Sequence, residues 1–188
     1  MARNKEFSPD QVINKAMALF RLRGYEATSV DDLVKYVGIG RGSLYATFGN
    51  KHALYLAALD RYLQQNDPPT LPEVAVDARA MVSAILQRQV DLAIEMVPLG
   101  GCLLVNSAAE LAHDPEVAQR VKANLTTAER MFCDLLSRDP SLNLSETECT
   151  DLARLFVTTI VGLRLTAKIT PDRDVLLPAV NAALRALP

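Results

Sequence analysis

The chain has 188 residues, 49% of them hydrophobic, and a formal net charge of −2. This length and apolar content suffice for one or two folded domains and exclude an intrinsically disordered chain. No apolar run reaches the length of a membrane span, and the N-terminal stretch MARNKEFSPDQ lacks the apolar centre of a signal peptide. We therefore expect a protein that does not enter a membrane and stays in the cytoplasm.

The charge is distributed unevenly along the chain. Residues 1–66 carry nine Lys and Arg against six Asp and Glu, and residues 67–188 carry eleven against sixteen, so the two parts sum to +3 and −5. A basic N-terminal part suits a polyanion such as DNA, although +3 is small for a single copy. Two copies would double the phosphate contacts, so we expect a dimer.

The reactive side chains argue against an enzyme or a metal protein. The three cysteines, Cys102, Cys133 and Cys149, have no metal-site spacing, and their odd number argues against a disulfide framework. The two histidines, His52 and His113, are too far apart in sequence to suggest a zinc site or a His-based triad. A Gly-rich phosphate loop is also absent from the sequence. We expect free thiols, no metal, no cofactor and no catalysis.

Apolar residues recur with helical spacing throughout, and no alternation of period two predicts a strand, so the predicted fold class is all-α. A first helix starts after Ser8, where Gln11 would complete a capping box, and ends at Gly24. A second helix starts at the capping residue Ser29 and ends at Gly38. Its apolar stripe consists of Val30, Leu33, Val34 and Val37.

The stretch from Thr28 to Lys51 has the outline of a helix-turn-helix. After the turn at Gly38, residues 41–48 form a short helix in which Leu44 and Phe48 point inward. The outward residues of this helix and the residues at neighbouring helix starts are the predicted DNA contacts: Ser29, Arg41, Gly42, Ser43, Tyr45, Thr47 and Lys51.

The chemistry of these side chains suits a duplex. Arg41 can fork to guanine or phosphate, and Tyr45 and Thr47 can reach phosphate or a thymine methyl. The small residues at positions 42 and 43 let the helix start approach DNA closely. Lys51, beside the free N–H groups that begin the next helix, would complete a phosphate-binding site. A structural helix pair without DNA contact is the alternative.

At these residues the chain resembles the TetR/AcrR family of bacterial one-component transcriptional regulators. The resemblance runs through SPDQVINKAMALFRLRGYEATSVDDL and GRGSLYATFGNKHALYLAALDRYL, about the first third of the chain. It implies a three-helix helix-turn-helix DNA-binding domain in residues 1–66 and a helical effector-binding and dimerisation domain in residues 67–188. Gly40 stands where relatives usually have Ser, Thr or Ala, and together with Gly42 it should loosen the recognition helix until DNA is bound.

The best candidate boundary between the two parts is NDPPTLPE, where three prolines interrupt the helical pattern. Beyond it the pattern predicts helices at 78–97, 101–112, 115–137, 146–168 and 175–187. Pro178 then falls in the first turn of the last helix, where proline is tolerated.

The last two predicted helices carry broad apolar faces. The resemblance implies that they pair with their copies in a four-helix bundle, and ordinary core within one subunit is the alternative. The residues concerned are Leu155, Phe156, Thr159, Ile160, Gly162 and Leu163 in the first helix, and Val175, Leu176, Val180, Ala183, Leu184 and Leu187 in the second.

The resemblance also implies a ligand pocket among the helices of residues 78–137, for a small-molecule effector that the sequence does not identify. Any one candidate lining residue is more often plain core. These candidates are Met81, Ile85, Leu92, Ile94, Met96, Leu103, Leu104, Met131 and Phe132.

Cys102 is a candidate sensor because it opens a helix, where the dipole stabilises a thiolate. The segment GGCLLVNSAAELA is similar to one in TetR relatives that respond to electrophiles or oxidants, and in such relatives the stretch corresponding to GLRLTAKI supplies a lysine near the thiol. The resemblance therefore makes Cys102 and Lys168 candidate sensing residues. The alternative is that Cys102 is a small buried apolar residue. Cys133 and Cys149 are expected to be core or surface thiols.

The predicted function is a homodimeric DNA-binding transcriptional regulator, a repressor rather than an activator. It would occupy a palindromic double-stranded operator with one recognition helix per half-site, and a small-molecule effector or modification of Cys102 would release it. The alternative is a helical interaction module without DNA binding.

Overall fold

The computed structural model of the protein describes residues 8–66 and 77–188. Those ranges contain α-helices and short 3-10 turns and no strand, which confirms the all-α class. The α-helices are α1 (Pro9–Arg23), α2 (Val30–Val37), α3 (Arg41–Phe48), α4 (Lys51–Gln65), α5 (Ala78–Glu95), α6 (Leu103–Glu110), α7 (Pro115–Ser137), α8 (Glu146–Ala167) and α9 (Arg173–Leu184), and the 3-10 turns are Val97–Leu99 and Pro140–Leu142.

Helices α1 to α4 form an N-terminal head that contains the helix-turn-helix. Ser29 and Asp32 form a capping box at the start of α2, each side chain accepting a hydrogen bond from the other residue's N–H. At the end of α2, Gly38 has a φ of 84°, a left-handed conformation that glycine adopts without strain. Leu33 and Leu44 are fully buried and fix α2 and α3 to the core.

The core of the head continues into the C-terminal part. The buried cluster that contains Phe20 and Tyr55 also contains Leu103 and Val121, so the head rests on α6 and on the first half of α7. The predicted boundary NDPPTLPE falls mostly on residues 67–76, outside the described residues. The division into 1–66 and 67–188 therefore stays a prediction.

A second buried cluster joins α5, α7, α8 and α9. The rings of Phe132 and Phe156 lie 5.4 Å apart within it and connect α7 to α8. Leu125 of α7 packs against both clusters. The two cores thus meet along α7, where a change in one can displace the other.

Helix ends differ from the predictions at several points. Ser8 precedes α1 but its side chain makes no capping hydrogen bond, so the predicted capping box with Gln11 is wrong. The last helix starts at Arg173, before the predicted residue 175, because Asp172 caps it by accepting from the Asp174 N–H. Pro178 therefore lies inside α9, where its ring nitrogen cannot donate to the preceding turn.

Candidate functional site

Helix α3 presents one face to solvent. Leu44 points into the core and Ser43 is half-buried. Gly40 is the N-cap and has no side chain to bond the first N–H groups, so these donors remain available to an outside acceptor. The exposed residues include four of the predicted DNA contacts: Arg41, Gly42, Tyr45 and Thr47.

Arg41 is engaged within the head in this structure. Its guanidinium donates to the carboxylate of Asp31 on α2, and this hydrogen bond, together with the charge of Asp31, raises the pKa of Arg41. Both side chains are largely exposed, so water and salt weaken the pair. Arg41 can therefore exchange its carboxylate partner for another anion.

Ser29 serves first as a helix cap. Besides the capping box, its hydroxyl donates to the Asp32 carboxylate, and this bond is the main reason that the pKa of Asp32 is lowered. Arg23 also donates to Asp32, at 2.9 Å. Ser29 is exposed at the start of α2, so a phosphate would meet a helix end whose cap is already formed.

Lys51 holds the head together. Its Nζ donates to the carbonyl oxygens of Tyr25 at 2.9 Å and Thr28 at 3.0 Å, and it lies 4.0 Å from the centroid of the Tyr25 ring. The side chain of Asn50 caps α4 by accepting from the Ala53 N–H at 2.7 Å. The ammonium predicted to contact phosphate therefore already binds the turn between α1 and α2.

A cavity of about 90 Å³ lies between α4, α5, α6, α7 and α8. Of the candidate lining residues named from the sequence, Ile85, Leu104, Met131 and Phe132 line it. Sequence reasoning confined to residues 78–137 missed the contribution of α8 and of the end of α4. The missed lining residues are Asn66, Gln89, Asn124, Leu125, Ala128, Val157, Ile160, Val161 and Arg164.

Cys102 is the N-cap of α6 and is 1% exposed. The cation that contacts its sulfur is Arg164, whose Nη1 lies 3.4 Å from Sγ. Lys168 instead donates to Asn106 Oδ1 at 2.8 Å. A signal for Arg164 exists in the sequence, since it is a single charge within the apolar stretch LFVTTIVGLRL of α8. Burial and the nearby Cys102 raise the pKa of Tyr62, whose ring neighbours this site.

The other two thiols lie along α7 and α8. Cys149 is buried and Cys133 is half-buried, consistent with core or surface thiols. Burial raises the pKa of Cys149, so its reactive thiolate form is less populated.

Polar contacts fasten the head to the C-terminal part near α6. Arg21 at the end of α1 donates to the Gly101 carbonyl at 2.8 and 3.1 Å. At the start of α4, His52 Nε2 lies 2.7 Å from a carboxylate oxygen of Asp114, the N-cap of α7. Arg120 donates to Asp60 at 2.7 Å. Movement of α6 or α7 therefore acts directly on α1 and α4.

Helices α8 and α9 have an apolar face that no other part of the described chain covers. Leu165 is 56% exposed and Ile169, just beyond α8, is 85% exposed. With Leu155, Thr158 and Gly162 they form a stripe of exposed residues three or four apart. Six of the twelve residues that the sequence assigned to an interface are instead buried within the subunit: Phe156, Leu163, Leu176, Val180, Ala183 and Leu187.

Within residues 8–66 and 77–188, no three His, Cys, Asp or Glu side chains are grouped so as to hold a metal ion. No helix in the same ranges has both the length and the apolar character needed to cross a membrane.

Comparison with known proteins identifies relatives over the whole chain. The family model described as "Bacterial regulatory proteins, tetR family" matches residues 12–58. The chain is 33% identical to the HTH-type transcriptional regulator YezE of Bacillus subtilis, covering 100% of both proteins. It is 29% identical to the HTH-type transcriptional repressor ComR of Escherichia coli, covering 99% of this chain and 91% of ComR.

A solved structure of a TetR family regulator is also similar to this chain over its whole length. A cysteine-substituted variant of the TetR family transcriptional regulator CifR, complexed with 26-bp double-strand operator DNA, is similar with a TM-score of 0.79. The two chains are 29% identical, and the match covers 100% of each.

Proposed function

Because the chain belongs to the TetR family of DNA-binding transcriptional regulators, which are not enzymes, we propose that it is a homodimeric repressor of a palindromic operator, released by an effector or by thiol modification. The exposed face of α3 is the observation that carries this proposal. It offers Arg41, Tyr45 and Thr47 to base edges and phosphates, with backbone donors at Gly40 and Gly42. ComR, a relative along almost the whole chain, is a repressor by name.

Contact with DNA requires small rearrangements in the head. Arg41 exchanges Asp31 for guanine or phosphate. This exchange costs little free energy, because the ion pair is exposed and screened by water and salt. Ser43 and Thr47 follow as α3 enters the major groove. Ser29 contributes by capping the start of α2, and Lys51 contributes by holding the turn before it, since N–H groups at a helix start favour phosphate.

The apolar stripe of α8 and the exposed side of α9 support the homodimer. Half of the large hydrophobic side chains that are exposed in the described residues lie there: Leu155, Leu165, Ile169 and Val175. Exposed Gly162 lets two copies of α8 approach closely, as a two-fold contact requires. Two heads then face half-sites about one helical turn or a multiple apart, ~34–36 Å.

Release of DNA would start at the cavity or at Cys102. Both lie where α6 and α8 meet the end of α4, so a ligand or an altered sulfur displaces the element that orients the head. A shift of a few ångströms between the two heads removes contacts at both half-sites together. Cys102 is 1% exposed beside Arg164, so a reagent reaches its sulfur only after the surrounding side chains move.

Selection of bound duplexes from a random DNA pool tests the proposal. The dimer is assayed at low salt, with and without prior treatment by a hydroperoxide, alongside the variants Cys102→Ser and Cys133→Ser. We expect an enriched palindrome that is lost on oxidation of the wild type and of Cys133→Ser and retained in Cys102→Ser. Absence of any enriched sequence would overturn the DNA-binding proposal and favour the helical interaction module. Loss of the enriched palindrome on oxidation of all three proteins would show that Cys102 is not the sensor.

A further inference from the structure

Arg164 differs from most arginines of this protein in having no acidic partner among the described residues. Its Nη1 contacts Cys102 Sγ at 3.4 Å and its Nη2 donates to Gln89 Oε1 at 2.9 Å. Its Nε is buried and has no hydrogen-bond partner within residues 8–66 and 77–188. Eight other described arginines pair with carboxylates, whereas Arg21 and Arg79 donate to backbone carbonyls. The eight are Arg23, Arg41, Arg61, Arg88, Arg120, Arg138, Arg154 and Arg173.

A buried N–H of a cation without an acceptor is unfavourable, since it loses its hydration and gains nothing in return. Arg164 lines the cavity between α4, α5, α6, α7 and α8, and among the described residues it is the one charged side chain in the lining. Asn66 and Gln89 supply polar atoms, and Leu104, Phe132 and Val157 supply apolar surface. The cavity thus combines one positive charge with an apolar wall.

We propose that the effector is a small monocarboxylate whose carboxylate pairs with Arg164 and whose short apolar tail lies against Leu104 and Phe132. This inference rests on the proposed function and names the class of its effector. A planar carboxylate matches the planar guanidinium and can satisfy Nε. One lining cation balances one negative charge, which disfavours phosphates of higher charge. A volume of about 90 Å³ is that of a few water molecules at ~30 Å³ each, so the ligand is short.

The position of the ligand explains how it would act on DNA binding. Asn66 directly follows α4, and its side chain donates to the Tyr62 carbonyl at 2.7 Å, at the end of that helix. Leu104 belongs to the apolar cluster of the head, whereas Phe132 and Val157 belong to the second cluster. A carboxylate in this cavity therefore touches the end of α4 and both cores at once.

Calorimetric titration of the full chain with sodium salts from formate to hexanoate tests the inference. Butyrate is compared with butyramide, which has the same shape without the charge, at matched ionic strength. We expect one carboxylate of the series to bind about tenfold or more tightly than its amide. Equal affinity of acid and amide, no binding anywhere in the series, or an equal response to chloride would overturn the proposal.

Variants locate the site. Arg164→Gln should abolish the preference for the acid, whereas the control Arg154→Gln, the same change at an exposed position of α8, should retain it. Retention of the preference in a folded Arg164→Gln would refute the assignment. If that variant does not fold, the comparison of butyrate with butyramide in the wild type still tests whether the cavity prefers a carboxylate. Operator binding is measured separately. If the protein binds a carboxylate but no operator, only the proposed function is refuted. If it binds an operator but no carboxylate, only the proposed ligand class is refuted.

Discussion

The carboxylate of Glu110, at the end of α6, accepts a hydrogen bond from the backbone N–H of Tyr25 in the head, with a distance of 2.8 Å between Oε2 and N. The same oxygen accepts from the Glu26 N–H at 3.3 Å. Tyr25 and Glu26 lie between α1 and α2, outside any helix that could satisfy their N–H groups. One side chain of the C-terminal part thus completes the turn that positions α2.

Replacing Glu110 with Ala should lower the free energy of unfolding by about 1–3 kcal/mol, because it leaves the partly buried N–H of Tyr25 without an acceptor. Urea denaturation measures the loss, and amide hydrogen exchange at Tyr25 should become faster. Glu110→Gln keeps an acceptor oxygen and should lose less. Unchanged exchange at Tyr25 in Glu110→Ala would show that the contact does not hold the turn.

A side chain at Gly100 should disrupt the junction between α1 and α6. Its φ is +88°, and a Cβ there would overlap the backbone carbonyl of Arg21, whereas Gly38 has a similar φ of +84° with open space around it. Gly38→Ala should lose about 1–2 kcal/mol from the left-handed backbone alone. Gly100→Ala should lose about 1–3 kcal/mol more from the overlap. Thermal unfolding of the pair checks this, and equal losses would contradict the packing argument.

Removing the charge of Asp31 should strengthen DNA binding by a few-fold. Asp31→Asn releases Arg41 from its ion pair and removes a negative charge near the duplex. Asp151→Asn, which changes another largely exposed carboxylate on α8, is the control and should have no effect. Arg41→Ala should weaken the binding free energy by about 1–3 kcal/mol by removing the contact between Arg41 and the base that it recognises. Fluorescence anisotropy with operator and scrambled duplexes measures both effects, and weaker binding by Asp31→Asn would contradict the exchange of partners.

Acid should weaken the fold in part through Asp114. Its pKa is lowered chiefly because it accepts from the Val117 N–H, and further because it bonds His52. A carboxyl group with a lowered folded pKa stabilises the fold above its unfolded pKa of about 3.9, and this contribution is lost as the pH falls through the folded pKa. Asp114→Asn keeps a capping side chain without the charge.

The stability difference between wild type and Asp114→Asn should therefore be largest near neutral pH and shrink towards about pH 3. Denaturation at a series of pH values measures it. A stability difference that grows on acidification would show that the ionised Asp114 does not stabilise the fold.

A charge in the exposed stripe of α8 should prevent dimerisation. Leu165→Glu would bury a carboxylate in each half of a two-fold contact, at about 3–5 kcal/mol. Leu99→Glu is the matched control, since Leu99 is 53% exposed and Leu165 is 56% exposed. Sedimentation should show a monomer for the first variant only, with weakened operator binding. A dimeric Leu165→Glu would place the interface elsewhere.

The helix-turn-helix and its outward residues could be predicted because their signals are local. Ser29 caps a helix that starts at the next residue, Gly38 ends it, and Leu44 marks the inward side of α3, all within a few residues of one another. The exposed apolar stripe of α8 was harder to predict. Two sides of α8 are apolar, and only packing against α5, α7 and α9 shows that Phe156 and Leu163 are covered while Leu155 and Leu165 are not.

Composition and helical periodicity were enough to derive an all-α chain with a basic, helix-turn-helix N-terminal part, since hydrophobic spacing, caps and turn glycines act over one or two turns. The partners of the charged groups required the fold. Arg164 meets Cys102 across 62 positions, and Lys51 meets two carbonyls on the far side of the helix-turn-helix, so neither contact leaves a mark in local spacing. Coulombic and hydrogen-bonding energies depend on distance in space, which only the packed chain defines.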